Sequence, residues 1–340
     1  MAWSYAGNHN TRLKKVLDSC RSWLCMSLAI IFLLACESEP RITQPEQPRV
    51  DELLSGDALI KAGVIQQVSW PEDRALRLTE EMKAFLFHYV DPEDSQKQKL
   101  DALLYAIMHK GLLGLRYDPT QTHTAEGTFV ARTANCLSFS LLFTAMAREV
   151  GLKVWFNDVD VPPVWDLRDK KTFVLYKHIN VMVRLRSGRH QIVDIDMERY
   201  NSNYQQERLS DNEAMAQYYN NRGVEYLFAE DMENSFNYLR MGLKLHPDAD
   251  YIWSSLGALY RRAGLYKLAE TAYLRALRDN SNNYLVLNNL SQLYAYDGQI
   301  EASMRYKRRV DDARNSNAYY QYALAEKAYA NDELEQAQED

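Results

Sequence analysis

The spacing of apolar residues changes several times along the chain, and each change marks a different segment. An apolar run, interrupted by Ser27, extends from Trp23 to Ala35, about two thirds of the roughly 20 residues that a membrane-spanning helix needs. Residues 37–50, ESEPRITQPEQPRV, hold three prolines and no periodicity, which predicts an extended tether. From Asp51 to about Tyr117 the pattern is helical. Its clearest stripe is Leu100, Leu103, Leu104, Ile107 and Met108, at the three- and four-residue spacings of a buried helix face. The same spacing joins Leu137, Leu141, Leu142, Ala145 and Met146 into a helix from Cys136 to Val150, and Gly151 is placed to stop it.

Three short runs then predict strands at Val154 to Asn157, His178 to Leu185 and Gln191 to Ile195, the last two joined by Arg186-Ser187-Gly188-Arg189. Helices followed by an antiparallel sheet define an α+β domain. The segment Asp158 to Lys177, rich in charge and carrying Pro162, Pro163 and Trp165, predicts a surface loop that serves as a lid or substrate wall.

Beyond about residue 213 the character changes again. Most of the 23 tyrosines lie there, and a self-similarity of about 34 residues sets in, the mark of stacked helical hairpins. Its best copy carries Trp253, Leu256, Gly257, Tyr260, Gly264, Ala269, Tyr273 and Ala276. This copy resembles the tetratricopeptide repeat, which implies an all-α solenoid with a concave, tyrosine-rich face that binds a protein partner or substrate. The expected repeats are 216–249, 250–283, 284–317 and a partial copy at 318–340. The competing expectation is that the repeats pack against the sheet.

Charge adds two expectations. A formal net charge of -6 and a pI near 5.7 give no nucleic-acid footprint, which needs clustered Lys and Arg. Arg12, Lys14, Lys15 and Arg21 precede the apolar run, the layout of a signal peptide over residues 1–35. The run ends Leu33-Leu34-Ala35-Cys36, which resembles the bacterial lipobox. That resemblance implies acylation of Cys36 and a lipid-anchored protein of the cell envelope, and Glu37 points to the outer membrane, facing the periplasm. The expected order is thus signal peptide (1–35), tether (36–50), α+β domain (51–212) and helical array (213–340).

Of four cysteines, Cys20 and Cys25 fall in the signal segment and Cys36 in the lipobox, so Cys136 is the one remaining thiol. It opens a helix, where free N–H groups and the helix dipole favour a thiolate; Thr133 and Asn135 are candidate caps. His178 opens a strand, and sixteen residues on, Asp194 and Asp196 alternate onto one face. Spacing alone leaves either carboxylate as the partner of His178. The remaining histidines weighed, His88, His109, His123, His190 and His246, read as structural or solvated.

The segment from Thr133 to Val154, with Cys136 at the helix start, Arg148 and Gly151 at its end and a strand after it, resembles the transglutaminase-like, papain-related cysteine superfamily. The likeness covers about Leu100 to Met197. It implies Cys136 as nucleophile, His178 as acid and base and, from the motif Ile192-Val193-Asp194-Ile195-Asp196, Asp194 as the third member. The sequence departs from the family pattern at Leu137, Asn180 and Ile195, where tryptophan, an aromatic residue and proline are usual. The implied reaction is hydrolysis or acyl transfer at a protein or peptide carboxamide. No cofactor is expected, and no metal cluster, phosphate loop or dinucleotide motif is present in the sequence. The competing function is a non-catalytic scaffold lipoprotein with an inactive cysteine domain.

Overall fold

In the computed structural model the chain is described over residues 49–72, 74–159, 166–169, 172–174, 178–186, 188–196 and 204–315. The signal segment, Cys36, nearly all of the tether, most of the loop from Asp158 to Lys177 and the partial fourth repeat lie outside these residues.

Mixed α and β structure follows. Two short helices, α1 (Val50–Ser55) and α2 (Asp57–Lys61), are followed by α3 (Glu80–Tyr89) and α4 (Gln96–Met108). Helix α4 begins with a Ser95/Gln98 capping box, which satisfies two otherwise orphaned donors. Its stripe is buried at Leu100, Leu103 and Ile107, with Leu104 half-buried and Met108 at the exposed end. The described residues of 62–79, inside the stretch that the pattern predicts as helical, carry no helix; the N–H groups of Gln66, Gln67 and Ser69 go to side chains of a distant helix, described below.

Strands β1 (Arg116–Tyr117) and β2 (Thr133–Ala134) pair in parallel around α5 (Ala125–Ala131). Helix α6 (Cys136–Glu149) follows, and every residue from Leu137 to Ala147 is buried. The helix is therefore enclosed on all sides and not on one face only. Gly151 ends it at φ +79°, in the left-handed region that glycine enters at no steric cost.

The main sheet has the order β7 (His190–Val193), β6 (His178–Arg184), β3 (Lys153–Val159), β8 (Gln206–Leu209), all antiparallel. Strand β3 is longer than its apolar run because Asn157 and Asp158 continue the ladder. Strand β8 has a mostly polar, exposed sequence that carries no alternation signal. A separate pair, β4 (Asp166–Asp169) and β5 (Thr172–Val174), lies between β3 and β6 in sequence.

Three helical hairpins complete the described residues: α7 (Asp211–Phe228) with α8 (Met232–Leu245), α9 (Asp250–Arg262) with α10 (Tyr266–Asp279), and α11 (Tyr284–Tyr296) with α12 (Ile300–Asn315). Their second helices start at Met232, Tyr266 and Ile300, a spacing of 34 residues. Close helix approach explains the small residues of the repeat. A Cβ at Gly257 would lie 2.5 Å from the Tyr273 ring, and one at Gly223 would lie 2.7 Å from Leu239. Tyr260 and Tyr273 are fully buried within the array and build its core. Among the described residues, no helix is long and apolar enough to cross a membrane.

Among the described residues, two apolar contact regions join the array to the rest of the chain. Ala214, Met215, Tyr218 and Tyr219 of α7 share a core with Leu137 and Leu141 of α6 and with Phe156, Ile179 and Leu209 of the sheet. Residues 53–70 in turn lie on the hairpins: Leu53, Leu59 and Ile65 are buried with Phe236, Leu239, Trp253 and Tyr260. The Glu233 carboxylate accepts from the N–H groups of Gln66 (2.8 Å) and Gln67 (3.3 Å), and Asn237 accepts from that of Ser69 (2.9 Å). Arg240 stands 3.7 Å and Lys244 4.6 Å from the Trp70 ring centre. Glu233, Asn237, Arg240 and Lys244 recur at three- and four-residue intervals on one face of α8 and hold an extended strap.

Candidate active site

Asn135, one of the two candidate caps, closes the N-terminus of α6 by accepting from the Ser138 N–H at 2.8 Å. The N–H groups of Cys136 and Leu137, in the first turn, have no intrahelical acceptor, as helix geometry requires. Cys136 is half-buried and packs at the edge of the core shared by α6, the sheet and α7. The cap is itself braced: Asn135 Nδ2 donates to the buried Thr122 hydroxyl (2.9 Å), and the Thr122 N–H donates to Glu225 of α7 (2.8 Å). The helical array thereby touches the support of the thiol.

His178 begins β6 and Asp194 follows directly after β7, the neighbouring strand. His178 Nε2 lies 2.5 Å from Asp194 Oδ2, and the two side chains are 11% and 1% exposed. The Cys136 sulfur, a His178 ring nitrogen and an Asp194 oxygen lie within 4.8 Å of one another. With Nε2 engaged by Asp194, Nδ1 is the ring nitrogen left for the thiol. Asp196 contributes its backbone N–H, which donates to Asp194 Oδ1 at 3.0 Å, so Asp194 is the carboxylate on the imidazole.

Electrostatics follow from this packing. Burial opposes a charge on His178, but its hydrogen bonds to Asp194 and Cys136 and the fields of both groups outweigh burial and raise its pKa to about 10. Burial likewise opposes ionisation of Asp194, and it is overcome by the His178 hydrogen bond and charge, the Asp196 N–H and the Asn180 amide, so its pKa falls below the usual value. The pair therefore holds an imidazolium beside a carboxylate near neutral pH.

Cys, His and Asp are also metal-binding side chains. Two ligand atoms on one tetrahedral zinc, each at about 2.0–2.1 Å, stand roughly 3.3 Å apart. The 2.5 Å separation of His178 and Asp194 is too short for two ligands of one ion and is a direct hydrogen-bond contact, so this donor set fits proton transfer better than metal binding.

Three further residues join the site without any prominence in the sequence. Asn180 Nδ2 donates to Asp194 Oδ2 (3.2 Å), and Asn157 Nδ2 donates both to Asn180 Oδ1 (2.9 Å) and to Gln206 Oε1 (3.0 Å). Asn157 and Asn180 face each other in the β3–β6 register and are buried. The available signal was one amide in each of two otherwise apolar runs, Val154-Trp155-Phe156-Asn157 and His178-Ile179-Asn180-Val181, since a polar group is buried only with a partner. Of the other histidines, His190 packs its ring edge-on against Trp155 and the His123 N–H donates to Ser138; both are structural contacts.

No protein-family model matches this chain, and a comparison with curated proteins finds no match.

Proposed function

We propose that this protein is a cysteine hydrolase of the transglutaminase-like type, acting on a protein or peptide carboxamide, lipid-anchored through Cys36 and equipped with a tetratricopeptide array for its partner or substrate. The observation that carries the reading is the 2.5 Å contact of His178 with Asp194 beside the thiol at the start of α6. A buried, hydrogen-bonded imidazolium next to a cysteine at a helix N-terminus is the arrangement that produces a nucleophilic thiolate.

In the proposed reaction the Cys136 thiolate attacks the carboxamide carbon, and the carbonyl oxygen becomes an oxyanion facing the free N–H groups of the first turn of α6. His178 gives its proton to the departing amine as the C–N bond breaks, leaving a thioester. Neutral His178 then takes a proton from water as the water oxygen attacks the thioester. Breakage of the C–S bond releases the carboxylic acid and restores the thiolate–imidazolium pair. Asp194 holds the ring orientation and balances its charge throughout. An amine in place of water gives acyl transfer by the same steps.

The test is iodoacetamide labelling of the full chain across pH, with Cys136 followed in its own peptide by mass spectrometry. The reading predicts fast alkylation at pH 6, well below the pKa of about 8.5 of an ordinary thiol, and its loss in His178→Ala. Slow labelling that is alike in both proteins supports the non-catalytic scaffold instead.

A further inference from the structure

We propose that Asn180 is a positioning residue for this site, the last member of a line of three carboxamides, Gln206, Asn157 and Asn180, that crosses the sheet from β8 and fixes the rotamer of Asp194. The inference rests on the cysteine-hydrolase reading above and goes beyond its triad.

Direction within the line is set by donor counting. Asn157 spends its two amide hydrogens on Gln206 Oε1 and Asn180 Oδ1, so Asn180 must present its oxygen to Asn157 and its NH2 to Asp194. The amide of Asn180 thereby reaches the same oxygen, Oδ2, that accepts from His178. The other oxygen, Oδ1, receives the Asp196 N–H. Asp194 is held at both oxygens, and rotation of its carboxylate breaks at least one bond whichever way it turns. Each amide sits on a different strand, β8, β3 and β6, while Asp194 follows β7, so the line spans the whole sheet. Asn157 and Asn180 are 1% and 0% exposed, which removes water as a substitute donor.

An alternative role for two facing asparagines is to pin strand register. That role affects stability and leaves the chemistry of His178 unchanged. A positioning role changes the pH dependence of the thiol, because a carboxylate free to rotate holds the imidazolium less well.

The experiment is the alkylation profile of Cys136 in the full chain, for wild type, His178→Ala, Asn180→Leu and the double variant Asn157→Leu/Asn180→Leu. Leucine matches asparagine in shape and offers no donor. In the double variant neither partner of the mutual hydrogen bond is left orphaned, so folding is preserved where the single variant fails. Circular dichroism and a thermal melt report folding. The expected result is a folded variant whose acid limb moves up by about one pH unit, so that labelling at a pH on the wild-type acid limb falls about tenfold. A folded double variant with the wild-type acid limb, when His178→Ala has lost it, overturns the positioning role and leaves the enzyme reading intact. A wild type that labels like a free thiol overturns both.

Discussion

Tyr260, in the first helix of the second hairpin, donates its hydroxyl hydrogen to the backbone carbonyl of Leu53, 2.6 Å away. One of the defining tyrosines of the repeat pattern thus holds α1, at the start of the segment that lies on the array. Burial pushes the Tyr260 pKa up, so the hydroxyl stays a donor throughout the neutral range. Tyr260→Phe leaves a carbonyl unpaired and is expected to cost about 1–2 kcal/mol, read from urea unfolding. Leu53→Ala, which empties a fully buried position, is expected to cost more, about 2–5 kcal/mol.

Trp70 lies under Arg240 and Lys244 at the end of the strap. Trp70→Ala is expected to leave the global unfolding midpoint nearly unchanged, since exposed cation–π contacts contribute about 0.5–1 kcal/mol each. It should, however, speed hydrogen exchange at the amides of Gln66, Gln67 and Ser69, which the α8 side chains hold. Equal exchange in variant and wild type would show that Glu233 and Asn237 suffice.

The site makes stability depend on pH in a definite direction. His178 has a folded pKa of about 10 against about 6.5 unfolded, so its stabilising contribution is complete below pH 6.5 and disappears as pH rises through 10. Asp194 is shifted down; its contribution is complete above the unfolded value of about 3.9 and disappears as pH falls through the folded one. Urea midpoints measured from pH 6.5 to 10 should therefore fall more steeply in wild type than in His178→Asn.

The two acidic residues of the motif are expected to separate cleanly. Asp194→Asn removes the carboxylate charge that faces the imidazolium and should slow alkylation of Cys136 on its acid limb by tenfold or more, since one pKa unit is tenfold there. Asp196→Asn keeps the backbone N–H that bonds Asp194 and should label as wild type does. Equal losses in the two variants would refute the assignment of Asp194.

Gly257→Ala places a methyl group 2.5 Å from the Tyr273 ring. The helices must move apart, and the expected cost is about 1–3 kcal/mol, visible as a lowered thermal midpoint. An unchanged midpoint would mean that Tyr273 turns aside freely.

Periodicity along the chain was enough to place α4, α6, β3, β6 and β7 to within a few residues, because each carries a local apolar pattern that one element can bury. The three hairpins were legible for the same reason, with glycines marking where helices meet. The non-helical segment 66–69 and β8 were not legible, since their backbone partners, the side chains of α8 and the edge of β3, are distant in sequence.

The sequence by itself determined which residue types stand where: a thiol opening a helix, a histidine opening a strand, two aspartates sixteen and eighteen residues after it and a helical repeat behind them. Spacing alone left two aspartates open and the motif resemblance implied Asp194; the turn out of β7 is what brings that residue onto His178. Tertiary structure alone decided that two asparagines brace that aspartate and that the strap lies on the array. These are contacts between strands and helices far apart along the chain, and a hydrogen bond depends on position in space to within tenths of an ångström, which no spacing of residues along a sequence encodes.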